Sequence, residues 1–283
     1  MSPTPEAVTG AVVLFGLLAA LCWGTADFTG GLASRRVDSF VTVLVSQVIG
    51  CVAAVLFALT LQERLPSSAD AAWAAAAGLA GSIALAAFYR GLATGRIGVV
   101  APVAGVLAAA VPVAAGALLE GAPGPVRLAG FGAGFAAVAL VSGGGGKGRS
   151  GLSLAVFAGL GFGLFYVLID RVSDGLVFWP LAIARVASVG LMVLIVVTRR
   201  IAFRPPRGVA PLLIAAGVLD LLGNAFFVVA AQTGRLDVAG VLSSLYPVAT
   251  VALAAIVLGE RIRPVQGVGI ALACAATVLI GGG

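Results

Sequence analysis

Asp38-SFVTVLVSQVIGCVAAVLFAL-Thr60 decides the fold class. Between its two ends no Asp, Glu, Lys or Arg occurs. The run is long enough to cross the hydrocarbon of a bilayer, which takes roughly 20 apolar residues in a helix. Polar and apolar residues do not alternate, so it does not read as a strand of a membrane barrel. Working outward, ten such runs are expected: 10–31, 38–60, 70–92, 98–118, 124–142, 151–170, 176–198, 209–232, 238–258 and 264–281. The breaks carry charge and turn formers, as in Arg35-Arg36, Gln62-Glu63-Arg64-Leu65-Pro66, Gly95-Arg96, Arg204-Pro205-Pro206-Arg207 and Glu260 to Pro264. The fold class expected is therefore all-α, a membrane protein of ten transmembrane helices whose surroundings are a lipid bilayer. Met1 to Glu6 holds no Lys or Arg and no small-residue cleavage site follows the first run, so that run reads as an uncleaved span.

Composition agrees. Hydrophobic residues make up 61% of the 283 and charged residues only 10%, too few to cover a water-soluble surface, which averages about 25% charged. A net charge of +6 would suit nucleic acid if the cations formed one dense face. They sit instead in short clusters between apolar runs, so no nucleic-acid partner is expected. Histidine is absent, which removes imidazole catalysis and His metal sites. Cys22, Cys51 and Cys274 stand alone in apolar runs and read as buried thiols. No H-E-x-x-H or G-x-S-x-G occurs, so no enzyme, cofactor or metal is expected. The Gly-rich stretch before Lys147 imitates a phosphate loop and fails: Val141 stands where the first glycine belongs, and Gly148 follows the lysine. It reads as a connector over 144–150 between halves at 1–143 and 151–283.

A shift of 139 residues aligns those halves. Thr94-Gly95-Arg96 falls on Thr233-Gly234-Arg235, Pro125-Val126 on Pro264-Val265, and Gly24, Gly78 and Phe88 on Gly163, Gly217 and Phe227. Five runs per half is an odd number, so the second half must enter the membrane the other way up. Two inverted five-helix repeats with a substrate path between them follow.

The segment Thr233-Gly234-Arg235, Ser244-Leu245-Tyr246-Pro247, Leu258-Gly259-Glu260-Arg261 and Gln266-Gly267 resembles the C-terminal signature of EamA-type members of the drug/metabolite transporter superfamily. Pro102, Pro112 and Glu120 form a weaker first copy, in which Gly121 stands where the second half has Arg261. The resemblance implies export or exchange of small metabolites, often amino acids, through a central cavity. It also implies termini inside the cell. The charges give the opposite orientation: 12 Lys and Arg fall on the side of the odd-numbered loops and four on the side of both termini. By the positive-inside rule the odd loops are cytoplasmic and the termini outside.

Polar side chains within the runs mark candidate sites. A charge at the bilayer centre costs about 2.5–3.5 kcal/mol and faces the protein interior. Arg185 lies 13 residues before Thr198 and Asp220 lies 11 after Val209, which puts both at roughly 17–20 Å below one surface. Spans 7 and 8 form a hairpin in this reading, and the two charges pair. Arg185 is the candidate for an anionic substrate group, with Asp220 its counter-ion; the alternative is an ion pair that only joins two helices. Asn224 shares a helix face with Asp220. Pro247 opens span 9 beside Tyr246, with Ser243 and Ser244 one turn earlier. Trp23 reads equally as cavity wall or lipid-facing ring. Asp27 and Arg90 read as a pair near the headgroups, and Tyr89 and Trp179 as an aromatic belt. Gly130 with Gly134 and Gly159 with Gly163 fit close helix contact, inside the chain or at a homodimer face.

The function expected is secondary transport of a small-molecule substrate, a polar metabolite such as an amino acid, across the cell membrane. The alternatives are a non-transporting membrane subunit, a lipid-translocating partner protein and, behind these, an intramembrane enzyme.

Overall fold

The computed structural model describes residues 5–120, 124–142, 151–203, 207–234, 236–259 and 263–282. These form eleven α-helices, with no strand among the described residues: α1 Pro5–Ala33, α2 Ser39–Thr60, α3 Ser68–Thr94, α4 Ile97–Glu120, α5 Pro125–Ser142, α6 Leu152–Ile169, α7 Phe178–Thr198, α8 Ala210–Thr233, α9 Leu236–Ser243, α10 Tyr246–Leu258 and α11 Pro264–Gly282. The expected connector at 144–150, and Arg235, Glu260 and Arg261 of the signature, lie outside the described residues.

Local chemistry sets the ends. Asp38 accepts the Phe40 N–H at 2.9 Å and starts α2. Ser67 and Asp70 cap α3 reciprocally, Asp70 N–H donating to Ser67 Oγ at 3.2 Å and Ser67 N–H to Asp70 Oδ2 at 3.0 Å. Gly259, at φ 64°, closes α10 in a conformation that glycine adopts without strain.

Eight segments are long and apolar enough to cross a membrane among the described residues, α9 and α10 counting as one, Leu236–Leu258. The two other runs expected from the sequence are the helices α5 and α11, 18 and 19 residues long. Large apolar side chains point outward along whole stripes: Leu14, Leu17 and Leu21 on α1, Val52, Leu56 and Leu59 on α2, Val193, Leu194 and Val197 on α7. Facing water, this would be an unmanageable apolar surface; facing lipid, it is the stable arrangement, because every backbone group is satisfied within its helix. The interior is packed largely with Ala and Gly, which let backbones approach.

That packing is reciprocal between the halves. Gly24 of α1 abuts α10, where an added Cβ would lie 2.5 Å from the Tyr246 carbonyl; its counterpart Gly163 of α6 abuts α4, 2.9 Å from the Ala108 carbonyl. Gly78 of α3 lies against the Ala184 carbonyl of α7, and its counterpart Gly217 of α8 lies against the Ser46 carbonyl of α2. Likewise α1 packs on α8 as α6 packs on α3, while α2–α7 and α5–α11 pair across the halves.

Candidate functional site

Helices α1, α2 and α3 of the first half and α6, α7, α8 and α10 of the second enclose a cavity of about 570 Å³ including its mouth. Its polar wall is built on α8. Asp220 Oδ2 accepts from Arg185 Nη2 of α7 at 2.7 Å, from Gln47 Nε2 of α2 at 3.4 Å and from Asn224 Nδ2 one turn along at 3.4 Å. These donors offset part of the cost of burying the carboxyl group. Arg185 is only 2% exposed, and its Nε has no hydrogen-bond partner among the described residues. Gly50 leaves space for that edge of the guanidinium: a Cβ there would lie 2.3 Å from Nε.

The depth argument from sequence thus brings Arg185 and Asp220 together, but not through a hairpin. Helices α7 and α8 hardly touch, because α2 lies against both. Gly50 and Gly217 let α2 in that close, and the ion pair reaches past it along the cavity wall.

The rest of the wall is largely aromatic. Trp23 is cavity wall and not a lipid-facing ring: it stacks on Tyr166 at 5.6 Å between centroids, and Tyr166 stacks on Phe227 at 4.5 Å. Tyr246 also lines the cavity, its ring edge-on to Phe88 at 6.0 Å. The break expected at Pro247 falls two to three residues earlier, at Ser244 and Leu245, between α9 and α10. Ser243 is fully buried but does not line the cavity, and Ser244 faces a smaller space beside Pro102 and Pro247.

Three residues sit where the sequence reading did not place them. Asp27 is not at the headgroups with Arg90; it is buried on the cavity wall while Arg90 is exposed. Helix α1 continues to Ala33, which sinks Asp27 about 9 Å below its end. Its spacing of four from Trp23 was the available signal. Tyr89 is not part of an aromatic belt: it is fully buried against Gly30. Glu63, passed over as a loop charge, caps α7. Its carboxylate accepts the N–H groups of Val177, Phe178 and Trp179, and its carbonyl accepts the Trp179 indole N–H at 3.0 Å.

The sequence pattern of the EamA-like transporter family matches residues 10–143 and, again, residues 149–282. The chain belongs to the EamA-like transporter family. From 10 to 149 and from 143 to 282 is the same 139-residue offset that aligns the halves in the sequence. An EamA-like protein is a membrane transporter of the drug/metabolite superfamily, and the apolar helices make this one multi-pass. One solved structure, described as a crystal structure of a protein, superposes with a TM-score of 0.70 over 96% of this chain and 97% of its own, at 18% identity. At that identity the likeness concerns the fold. No curated protein matches the chain.

Proposed function

We propose that this EamA-like protein is a secondary transporter of the cell membrane that exports or exchanges small polar metabolites, amino acids among them, through the cavity between its halves. One observation carries the reading. Trp23, Asp27 and Gln47 of the first half share a single cavity with Arg185, Asp220 and Asn224 of the second. An ion pair that only fastened two helices would lie in packed interior; this one lines open space, between helices that hardly touch. In this reading Arg185 accepts a substrate carboxylate, where the substrate has one, in exchange for Asp220. The reciprocal packing supports ten spans in two inverted halves, the arrangement in which a midplane site is exposed to each side in turn. With no nucleotide-binding motif in the sequence, the drive is a gradient or exchange.

Purified protein in liposomes tests this against a metabolite panel first ranked by thermal shift. Saturable flux, absent from empty vesicles, is expected for at least one compound. A protein that binds members of the panel and moves none refutes the reading.

A further inference from the structure

One acidic group on the cavity wall has no counterpart. Asp220 is held by three donors. Asp27, only 6% exposed, makes no hydrogen bond or ion pair among the described residues. Arg185 is the one basic residue lining the cavity among those described, and it is committed to Asp220. The lining therefore carries two carboxyl groups against one guanidinium. Around Asp27 the surfaces are aromatic. Trp23 stands one turn before it and stacks on Tyr166. The buried hydroxyl of Tyr246, also on the cavity wall, has no partner among the described residues. A carboxylate, ring faces and a hydroxyl acceptor are the groups that recognise an ammonium. Charges are kept inside membranes for what they bind, because the alternative is a standing penalty.

We infer that Asp27 is the site of a protonated amine: the ligand's ammonium sits against Asp27 between Trp23, Tyr166 and Tyr246, and this ammonium, not a carboxylate, is the group by which the cavity recognises its ligand. The inference rests on the transport reading for its setting and narrows the substrate class to amine-bearing metabolites. A carboxylate on the substrate is accommodated at Arg185 but not required. An ammonium meets a carboxyl group that has no other partner among the described residues of the cavity wall, whereas an anion would compete with Asp220 for a guanidinium already paired.

Three probes with closely similar skeletons test it: 2-phenylethylamine, L-phenylalanine and 3-phenylpropionate, a cation, a zwitterion and an anion at neutral pH. Binding is measured by calorimetry on the purified full-length protein in detergent. The amine binds tightest, the amino acid next, and the acid weakest. Asp27→Asn weakens the amine by about tenfold or more, the scale of one charge-assisted contact, and Asp27→Glu restores most of the loss. Asp27→Asn melts no lower than the wild type, because no hydrogen bond or ion pair of Asp27 among the described residues is lost. The inference is overturned if the acid binds as well as the amine, if none of the three binds, if Asp27→Asn leaves the amine unchanged, or if that variant unfolds. Flux separates the two proposals. Movement of the acid without the amine removes the amine site and leaves transport standing. Asp27-dependent amine binding with no flux of any probe or panel compound leaves the amine site and removes transport.

Discussion

Arg185 shows how much one side chain demands inside a membrane protein. Its guanidinium has Asp220 in front at 2.7 Å and Gly50 behind, so both sides of the site are sensitive. Arg185→Gln or Asp220→Asn alone strands a buried charge, and each is expected to lose about 3–5 kcal/mol. The double variant strands nothing and is expected to regain its melting temperature in detergent. For a substrate that carries a carboxylate, transport by the double variant is expected to stay at least tenfold down if Arg185 meets that group; full flux would reduce the pair to a structural tie. Gly50→Ala places a Cβ where the Arg185 Nε now lies. Overpacking of that kind costs about 1–3 kcal/mol, and the displaced guanidinium should lower flux even in protein that still folds. Thermal melts paired with flux on the same preparation check this.

At the scale of elements, the start of α7 is tied to the first half. Besides the Glu63 cap, Asp70 accepts from Ser173 N–H at 2.9 Å and Ser173 Oγ at 2.8 Å, and Arg64 Nη2 donates to the Asp174 carbonyl at 3.1 Å. The carboxylate of Glu63 satisfies N–H groups that the helix itself cannot, at its positive end. Removing a cap costs about 0.5–2 kcal/mol, so Glu63→Ala should lower the melting temperature, and Glu63→Gln should fall between the two because its amide oxygen still accepts. An Ala variant that melts with the wild type would mean that water replaces the cap without loss. Gly78 offers a sharper test. A Cβ there would lie 2.0 Å from the Ala184 carbonyl, a backbone atom that cannot swing away. Gly78→Ala is expected to separate α3 from α7 at a cost of about 3 kcal/mol, and Gly217→Ala, against the Ser46 carbonyl at 2.6 Å, to act alike on α8 and α2. Unequal effects from the two would argue against equivalent roles in the halves.

Over the whole molecule, orientation is the open consequence of charge. With ten spans, 12 Lys and Arg fall on the side of the odd-numbered loops and four on the other, and short loops rich in cations stay in the cytoplasm. A fluorescent reporter that matures only in the cytoplasm, fused after Gly283, is therefore expected to stay dark. Bright cells would reverse the orientation while leaving the helices as they are. The paired glycines Gly24 and Gly163, and Gly78 and Gly217, contribute at this scale too: each sets a helix of its half against a helix of the other, and the second glycine of each pair repeats the contact with the halves exchanged.

What the sequence determined by itself was everything carried by length, composition and repetition. Uninterrupted apolar runs can only be helices in lipid, because no other local structure satisfies the backbone there. A constant 139-residue offset needs no coordinates to be seen, and depth along a helix follows from counting, which is why Arg185 and Asp220 were legible as partners. Rotation about each helix axis was not legible. In runs of Ala, Val, Leu and Gly no polar stripe marks the inner face, so whether Trp23 met lipid or cavity, and whether Asp27 met headgroups or cavity, depended on which neighbour each helix chose. Only the tertiary structure decided that, by setting α2 between α7 and α8 and by carrying α1 on past Asp27 to Ala33. Loop partners were hidden for the same reason: Glu63 meets the N–H groups of Val177, Phe178 and Trp179 across more than a hundred residues of chain, a distance at which no local pattern points to a partner.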